Sequence, residues 1–312
     1  MSWKRTLLFC LLIGGSYAAF AQEAEWNKVV ELDSLGEHQR ALKILDRLVQ
    51  QPEWRYRSLM MRSGIYFEEL KRIEDAFVDI AAAMKESPDS IGPYLNRSSM
   101  YMNMNMTDRA LSDLDQGLLH CHSTSDSASI LLNMGSAFLM SRQFDKALNA
   151  LDQAIALEPD QWGTQLNKAA LLAEIGRTDE AHALYVDLHE AHPDDLVIMN
   201  NMGFLALRLE NFPEAITWFT KALEVKADDA VVMNNLGYAQ FREGDTEAAL
   251  TNVQRSIELY PSNSYAYRNL GLIQQSKGLK HEACTAFEAA LRLGFTQQYG
   301  PEVEDLRKTG CR

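Results

Sequence analysis

Four methionines alternate through Met100, Met102, Met104 and Met106, and three metal-binding side chains stand side by side at His120, Cys121 and His122. Thioether, thiolate and imidazole are soft or borderline donors, so outside a reducing cytoplasm both groups read as Cu(I) ligand sets. Their spacing argues against a built site. Alternating residues on or near a helix end point in several directions, a histidine there commonly meets free carbonyls, and methionine fills irregular cores. His182, His189 and His192 are scattered in the same way. No metal site and no cofactor is assigned from these residues. Nucleophile motifs, phosphate-cradling glycine loops and carboxylate pairs distinct from an ordinary helix surface are also missing, so the chain reads as non-catalytic.

A different chemistry recurs along the chain. Asn96, Asn133, Asn167, Asn201, Asn235 and Asn269 stand 34 to 37 residues apart, a column interrupted by Arg62 at the preceding equivalent place. Each carboxamide offers both a donor and an acceptor. Ala41, Ala76, Ala110, Ala147, Ala181, Ala215, Ala249 and Ala283 keep the same step. Four residues after each alanine comes a large side chain, such as Leu151 or Phe219, and three further on a position that is mostly small or apolar, as at Ala154 and Ala222. Steps of four and three share one helical face. Twelve residues before the alanine, from the second unit on, sit Gly64, Ser98, Gly135, Ala169, Gly203, Gly237 and Gly271, where a second helix is expected to come close. Pro52, Pro88, Pro159, Pro193 and Pro261 would stop a helix and turn the chain into the next hairpin. A fixed period of this size predicts an all-α repeat array in which each unit stacks on its neighbours.

At this level the chain resembles the tetratricopeptide repeat family. The stretch Ala128 to Asp160, with Leu131, Met134, Gly135, Phe138, Ala147, Leu151, Ala154 and Pro159, looks like the full family pattern. The resemblance covers residues 22–297 as units 22–56, 57–90, 91–127, 128–161, 162–195, 196–229, 230–263 and 264–297, with 298–312 as a capping helix and tail. It implies a right-handed superhelix of about eight antiparallel helix pairs. Glu25 and Lys28 replace apolar residues in the first helix, which makes unit one a polar cap, and three extra residues near Ser123 to Ser127 lengthen one junction.

The resemblance also implies that first-helix positions 2, 5, 6, 9, 12 and 13 line a concave groove. The asparagine column falls at position 6, where amides can hold the backbone of an extended peptide, or can be inherited scaffold without a ligand. Arg208 and Arg242 occupy position 13, Arg268 position 5, and Phe204 and Tyr238 position 9. A cationic and aromatic cluster in a groove fits an acidic or carboxylate-terminated segment, whereas pairing with Glu210 and Glu243 would make it a solvated face. The lysine and asparagine of the family's chaperone-binding carboxylate clamp have no counterparts here.

Residues 1–21 follow another logic. Lys4 and Arg5 precede an apolar run from Leu7 to Ile13, and Ala19, Phe20 and Ala21 form an A-x-A site, which predicts a secretory signal cleaved after Ala21. The run is too short for a membrane span, and no other stretch is long and apolar enough for one. The full chain carries a net charge of -13, and cleavage would remove two lysine or arginine residues and no acids. So acidic a chain argues against nucleic acid and anionic lipid as partners, since both need a basic field. Cys121, Cys284 and Cys311 would remain, and similarity to the ends of secreted bacterial members of the family implies a Cys284–Cys311 disulfide, with two free thiols as the alternative. The sequence therefore reads as a periplasmic scaffold that binds another polypeptide. The alternatives are a copper-handling protein and an accessory that docks through its convex side.

Overall fold

The computed structural model describes residues 22–311, so the signal-peptide reading lies outside the described residues. All regular structure among the described residues is helical, and none of these helices is long and apolar enough to cross a membrane. The chain divides after Gln161 into two compact units.

The first unit contains α1 (22–34), α2 (His38–Leu48), α3 (Pro52–Gly64), α4 (Ile73–Glu86), α5 (Gly92–Asn103), α6 (Thr107–Leu118), α7 (Thr124–Met140) and α8 (Phe144–Leu157). Consecutive helices pair as hairpins, and the repeating alanines Ala41, Ala76, Ala110 and Ala147 are wholly buried where the two helices meet. The large residue four places later, Leu45, Ile80, Leu114 or Leu151, fills the contact, and each such burial contributes about 1.5–3 kcal/mol. The first helix leaves Glu23, Asn27 and Glu31 exposed on its outer side and buries Val29 and Leu32 at the family's packing positions. Its departure is Trp26, which supplies one place later the apolar contact missing at Glu25, while Glu25 meets Arg47.

Three further departures from the sequence reading have local causes. Pro52 opens α3 rather than closing its predecessor, since a proline at the first helical residue sacrifices an amide hydrogen that has no helical acceptor. The extra residues near Ser123 lengthen α7 to 17 residues. There Ser123 Oγ accepts from the Asp126 amide at 3.0 Å while the Asp126 carboxylate accepts from the amides of His122 and Ser123. Those amides, His122 foremost, hold the Asp126 carboxyl below the usual carboxylate range. Gly64 approaches nothing, because the chain widens immediately afterwards into one π turn over Ile65–Glu69.

The second unit contains α9 (Trp162–Glu174), α10 (Thr178–Ala191), α11 (Leu196–Arg208), α12 (Phe212–Val225), α13 (Ala230–Glu243), α14 (Thr246–Leu259), α15 (Ser264–Ser276), α16 (Lys280–Arg292), α17 (Phe295–Tyr299) and α18 (Glu302–Gly310). Asp195, Asp229 and Asn263 cap α11, α13 and α15, each side chain accepting from two amides of the first turn. Here the small residues act as the sequence implies. A Cβ on Gly237 would lie 2.7 Å from Val253 Cγ2 and 3.0 Å from the Ala249 carbonyl oxygen. A disulfide joins Cys284 of α16 to Cys311 at the end of α18, and Cys121 is free.

Candidate functional site

Within the second unit, α11 and α13 carry the same four residue classes at the same heights. Val197, Asn201, Phe204 and Arg208 run along α11, and Val231, Asn235, Tyr238 and Arg242 along α13, at steps of four, three and four that keep each set on one face. Val197, Val231 and Phe204 are 50%, 48% and 41% exposed, high for large apolar side chains. Arg208 and Arg242 are exposed at the ends of these stripes. Arg208 meets Glu174 of α9, through its carboxylate at 2.9 Å and its backbone carbonyl at 3.3 Å. Arg242 donates to Tyr238 Oη at 3.1 Å and to Glu210 at 3.3 Å, and lies 4.6 Å from the centre of the Phe212 ring. The tyrosine hydroxyl, with Glu210 after it, holds the Arg242 pKa above the ordinary arginine value.

The asparagine column divides into two kinds. Asn167 is exposed, Asn96 and Asn201 are half-buried, and none of these three makes a side-chain hydrogen bond among the described residues. Asn133 donates to the Ser129 carbonyl of its own helix at 2.9 Å. Asn235 and Asn269 do not face an open groove: they are buried, and they bond diagonally across repeats. Asn235 Nδ2 donates to Asn200 Oδ1 at 3.0 Å, and Asn269 Nδ2 to Asn234 Oδ1 at 2.9 Å. The cause lies one residue earlier, where α11 and α13 hold a second asparagine that offers the acceptor. In α9 that place is Leu166, so Asn201 has no such partner.

Arg268 also departs from the expected open patch. It is 7% exposed, donates Nη1 to Asn269 at 2.8 Å, and meets both carboxylate oxygens of Glu302 in α18, through Nε at 3.3 Å and through Nη2. The rings of Tyr238 and Tyr265 flank it at 5.1 and 5.3 Å. Burial opposes its charge, but Glu302 and the two tyrosines outweigh that and hold its pKa above the ordinary value. The structure thus brings Arg242, Tyr238 and Arg268 together, whereas the polar contacts of Arg208 run to α9.

Sequence reasoning missed the contribution of Glu302, although a signal existed: it stands 34 residues after Arg268, one repeat length. It also missed paired charges in the first unit. Arg62 grips Asp79 through two bonds of 2.7 Å and Asp46 through a third, and Arg97 grips Asp113 at 2.6 and 2.7 Å. The soft donors disperse. Met100 and Met104 pack in the cluster around Trp26, Met102 joins one around Leu114, and His120 stacks on Tyr94. No group of three or more histidine, cysteine or carboxylate residues is arranged to hold a metal among the described residues.

Family models of the tetratricopeptide repeat match residues 138–199, 194–262 and 234–294, which together span half of the chain. This chain is a tetratricopeptide repeat protein. Its fold is similar to that of a tetratricopeptide repeat protein from Parabacteroides merdae, at 16% identity and a TM-score of 0.66, over 82% of this chain and 99% of that one. Yeast Tom70 aligns at 16% identity with a TM-score of 0.68, over 88% of this chain and 58% of that chain. Pseudomonas aeruginosa pilF aligns at 16% identity and 0.53, over 69% and 96%. At such identities the likeness is one of fold alone. No curated protein sequence matches the chain. Tetratricopeptide repeat proteins are in general non-catalytic scaffolds that bind proteins or peptides, and the matches indicate no catalytic family.

Proposed function

We propose that this repeat protein is an exported, non-catalytic scaffold that binds an extended polypeptide segment along the first helices of its second unit and supports assembly of an envelope complex. The observation that carries the reading is the pair of stripes on α11 and α13, with exposed Val197, Val231 and Phe204, the half-buried amide of Asn201, and an arginine at the end of each. Apolar anchors between hydrogen-bonding groups suit a chain whose backbone and side chains are both presented. Arg208 and Arg242 favour an acidic segment: their present partners Glu174 and Glu210 are exposed carboxylates held by weak surface pairs, which a guest carboxylate can replace. Export is supported by the composition of residues 1–21, with cleavage after Ala21, and by a disulfide, which persists in oxidising compartments such as the periplasm.

A photo-crosslinking residue placed at Asn167 or Asn201, where the amides are accessible and without side-chain partners, is expected to capture a discrete polypeptide in cells. Replacing both arginines, Arg208→Ala with Arg242→Ala, is expected to reduce that capture about tenfold or more, and Asn133→Ala to leave it intact. Equal, negligible effects of these substitutions would remove the case for this face.

A further inference from the structure

Arg268 stands at the place in α15 where α11 and α13 carry Asn200 and Asn234. A planar guanidinium set against two carboxylate oxygens, with aromatic rings beside it and an amide holding its remaining corner, is an arrangement that recognises carboxylates. The carboxylate now in place belongs to the first residue of a short element whose far end the Cys284–Cys311 disulfide fixes. α18 has nine residues, too few to persist as an isolated helix, and Val303 is its one fully buried side chain. It follows Gly300, at φ 90°, and Pro301, and a cavity of about 330 Å³ opens where its last turn meets α15 and α16. The two partners are covered unequally, with the Arg268 side chain 9% exposed and that of Glu302 46%. The arginine is fixed, and its carboxylate is half in water. Tyr238 connects the pair to the exposed stripe, since its hydroxyl accepts from Arg242 while its ring lies beside Arg268.

We propose that Arg268, Asn269, Tyr238 and Tyr265 form a carboxylate-binding site at the end of the groove, and that Glu302 of α18 is its intramolecular competitor. A guest carboxylate drawn in past Arg242 takes the place of Glu302, whose side chain turns into solvent. The Cys284–Cys311 bond keeps α18 nearby, so Glu302 competes at high effective concentration and only guests that also engage the stripe displace it. The proposal rests on the groove reading above and adds a ligand chemistry and a gate to it.

The test is fluorescence anisotropy of the purified full chain with three labelled probes: hexaglutamate with an amidated end, hexaglutamine with a free carboxyl end, and hexaglutamine amidated. Glu302→Gln is expected to tighten binding of one or both carboxylate probes about tenfold, the factor for a site open about a tenth of the time, and to leave the neutral probe unchanged. The probe that gains shows whether acidic side chains or a chain terminus supply the carboxylate. Adding Arg268→Gln to that variant is expected to cancel the gain. In the unsubstituted protein, saturation with the tighter probe is expected to speed exchange of the Asp305 amide, the first of α18 to be hydrogen-bonded, through its bond to the Pro301 carbonyl, a readout that needs no variant to fold. No gain with Glu302→Gln, a gain that survives Arg268→Gln, or unchanged exchange in α18 would each overturn the proposal. If capture at Asn201 persists in that case, the competitor alone is wrong; if capture also fails, the groove reading falls with it.

Discussion

Asn167 and Asn269 occupy the same place in their repeats and meet different surroundings. Asn167 is exposed, whereas Asn269 is buried between Arg268, which donates to it, and Asn234, which accepts from it. Removing the Asn269 amide leaves Arg268 Nη1 and Asn234 Oδ1 without these partners, and an unsatisfied buried group costs about 1–3 kcal/mol. Asn269→Ala is therefore expected to lower unfolding free energy by about that much in urea titration, while Asn167→Ala stays within about 0.5 kcal/mol. The opposite order would show that the buried ladder does not hold the last repeats together. The same contrast assigns separate work to the column: its buried members fix how successive repeats meet, and its exposed members remain available to a guest.

At the scale of the helix pair, the positions where two helices cross can be separated by what a methyl group would touch. On Gly237 it would strike the backbone of α14, which cannot move aside cheaply, so Gly237→Ala is expected to destabilise by about 1–3 kcal/mol. On Gly64 it would meet nothing within 4 Å, and Gly64→Ala is expected to be neutral or to stabilise by up to about 1 kcal/mol through helix propensity. Thermal melts of the two variants distinguish them. Every hairpin also turns through one residue with positive φ, five places before its alanine: Gly36, Lys71, Asn105, Arg142, Gly176, Glu210, Gly244 and Gly278. A lysine or arginine there carries a steric cost that glycine avoids. Arg142→Gly is accordingly expected to raise stability by about 0.5–1 kcal/mol, net of the extra freedom glycine has when unfolded. A fall in melting temperature would show that the contact of Arg142 with Phe144 matters more than the turn.

For the whole molecule, the decisive feature is how the array ends. A terminal repeat lacks a following neighbour, and in this chain α17 and α18 cover it, with Phe295 and Val303 buried against α16. The disulfide closes a loop between residues 284 and 311, and on the chain-entropy view it stabilises the closed end by about 3–4 kcal/mol. Reduction is expected to accelerate amide exchange throughout α18 and leave the helices of the first unit unchanged. Thiol titration of unfolded, unreduced protein cleaved after Ala21 should find one reactive thiol, Cys121. Three would refute the bond.

The sequence by itself determined the all-helical repeat, since a buried alanine followed at four residues by a large side chain can pack only as one face of a helix against another. It also marked the stripes of α11 and α13, because side chains three and four apart share a helix face whatever lies beyond it. Tertiary structure decided which of those side chains are free. Asn235 closes on Asn200, Asn269 on Asn234 and Arg268 on Glu302, each pair about one repeat apart in the chain. Such pairs form only when stacking sets the rotation between successive hairpins, and that rotation follows from packing summed over whole interfaces. The period of the sequence records that the helices meet; it does not record the angle that brings one amide to the next.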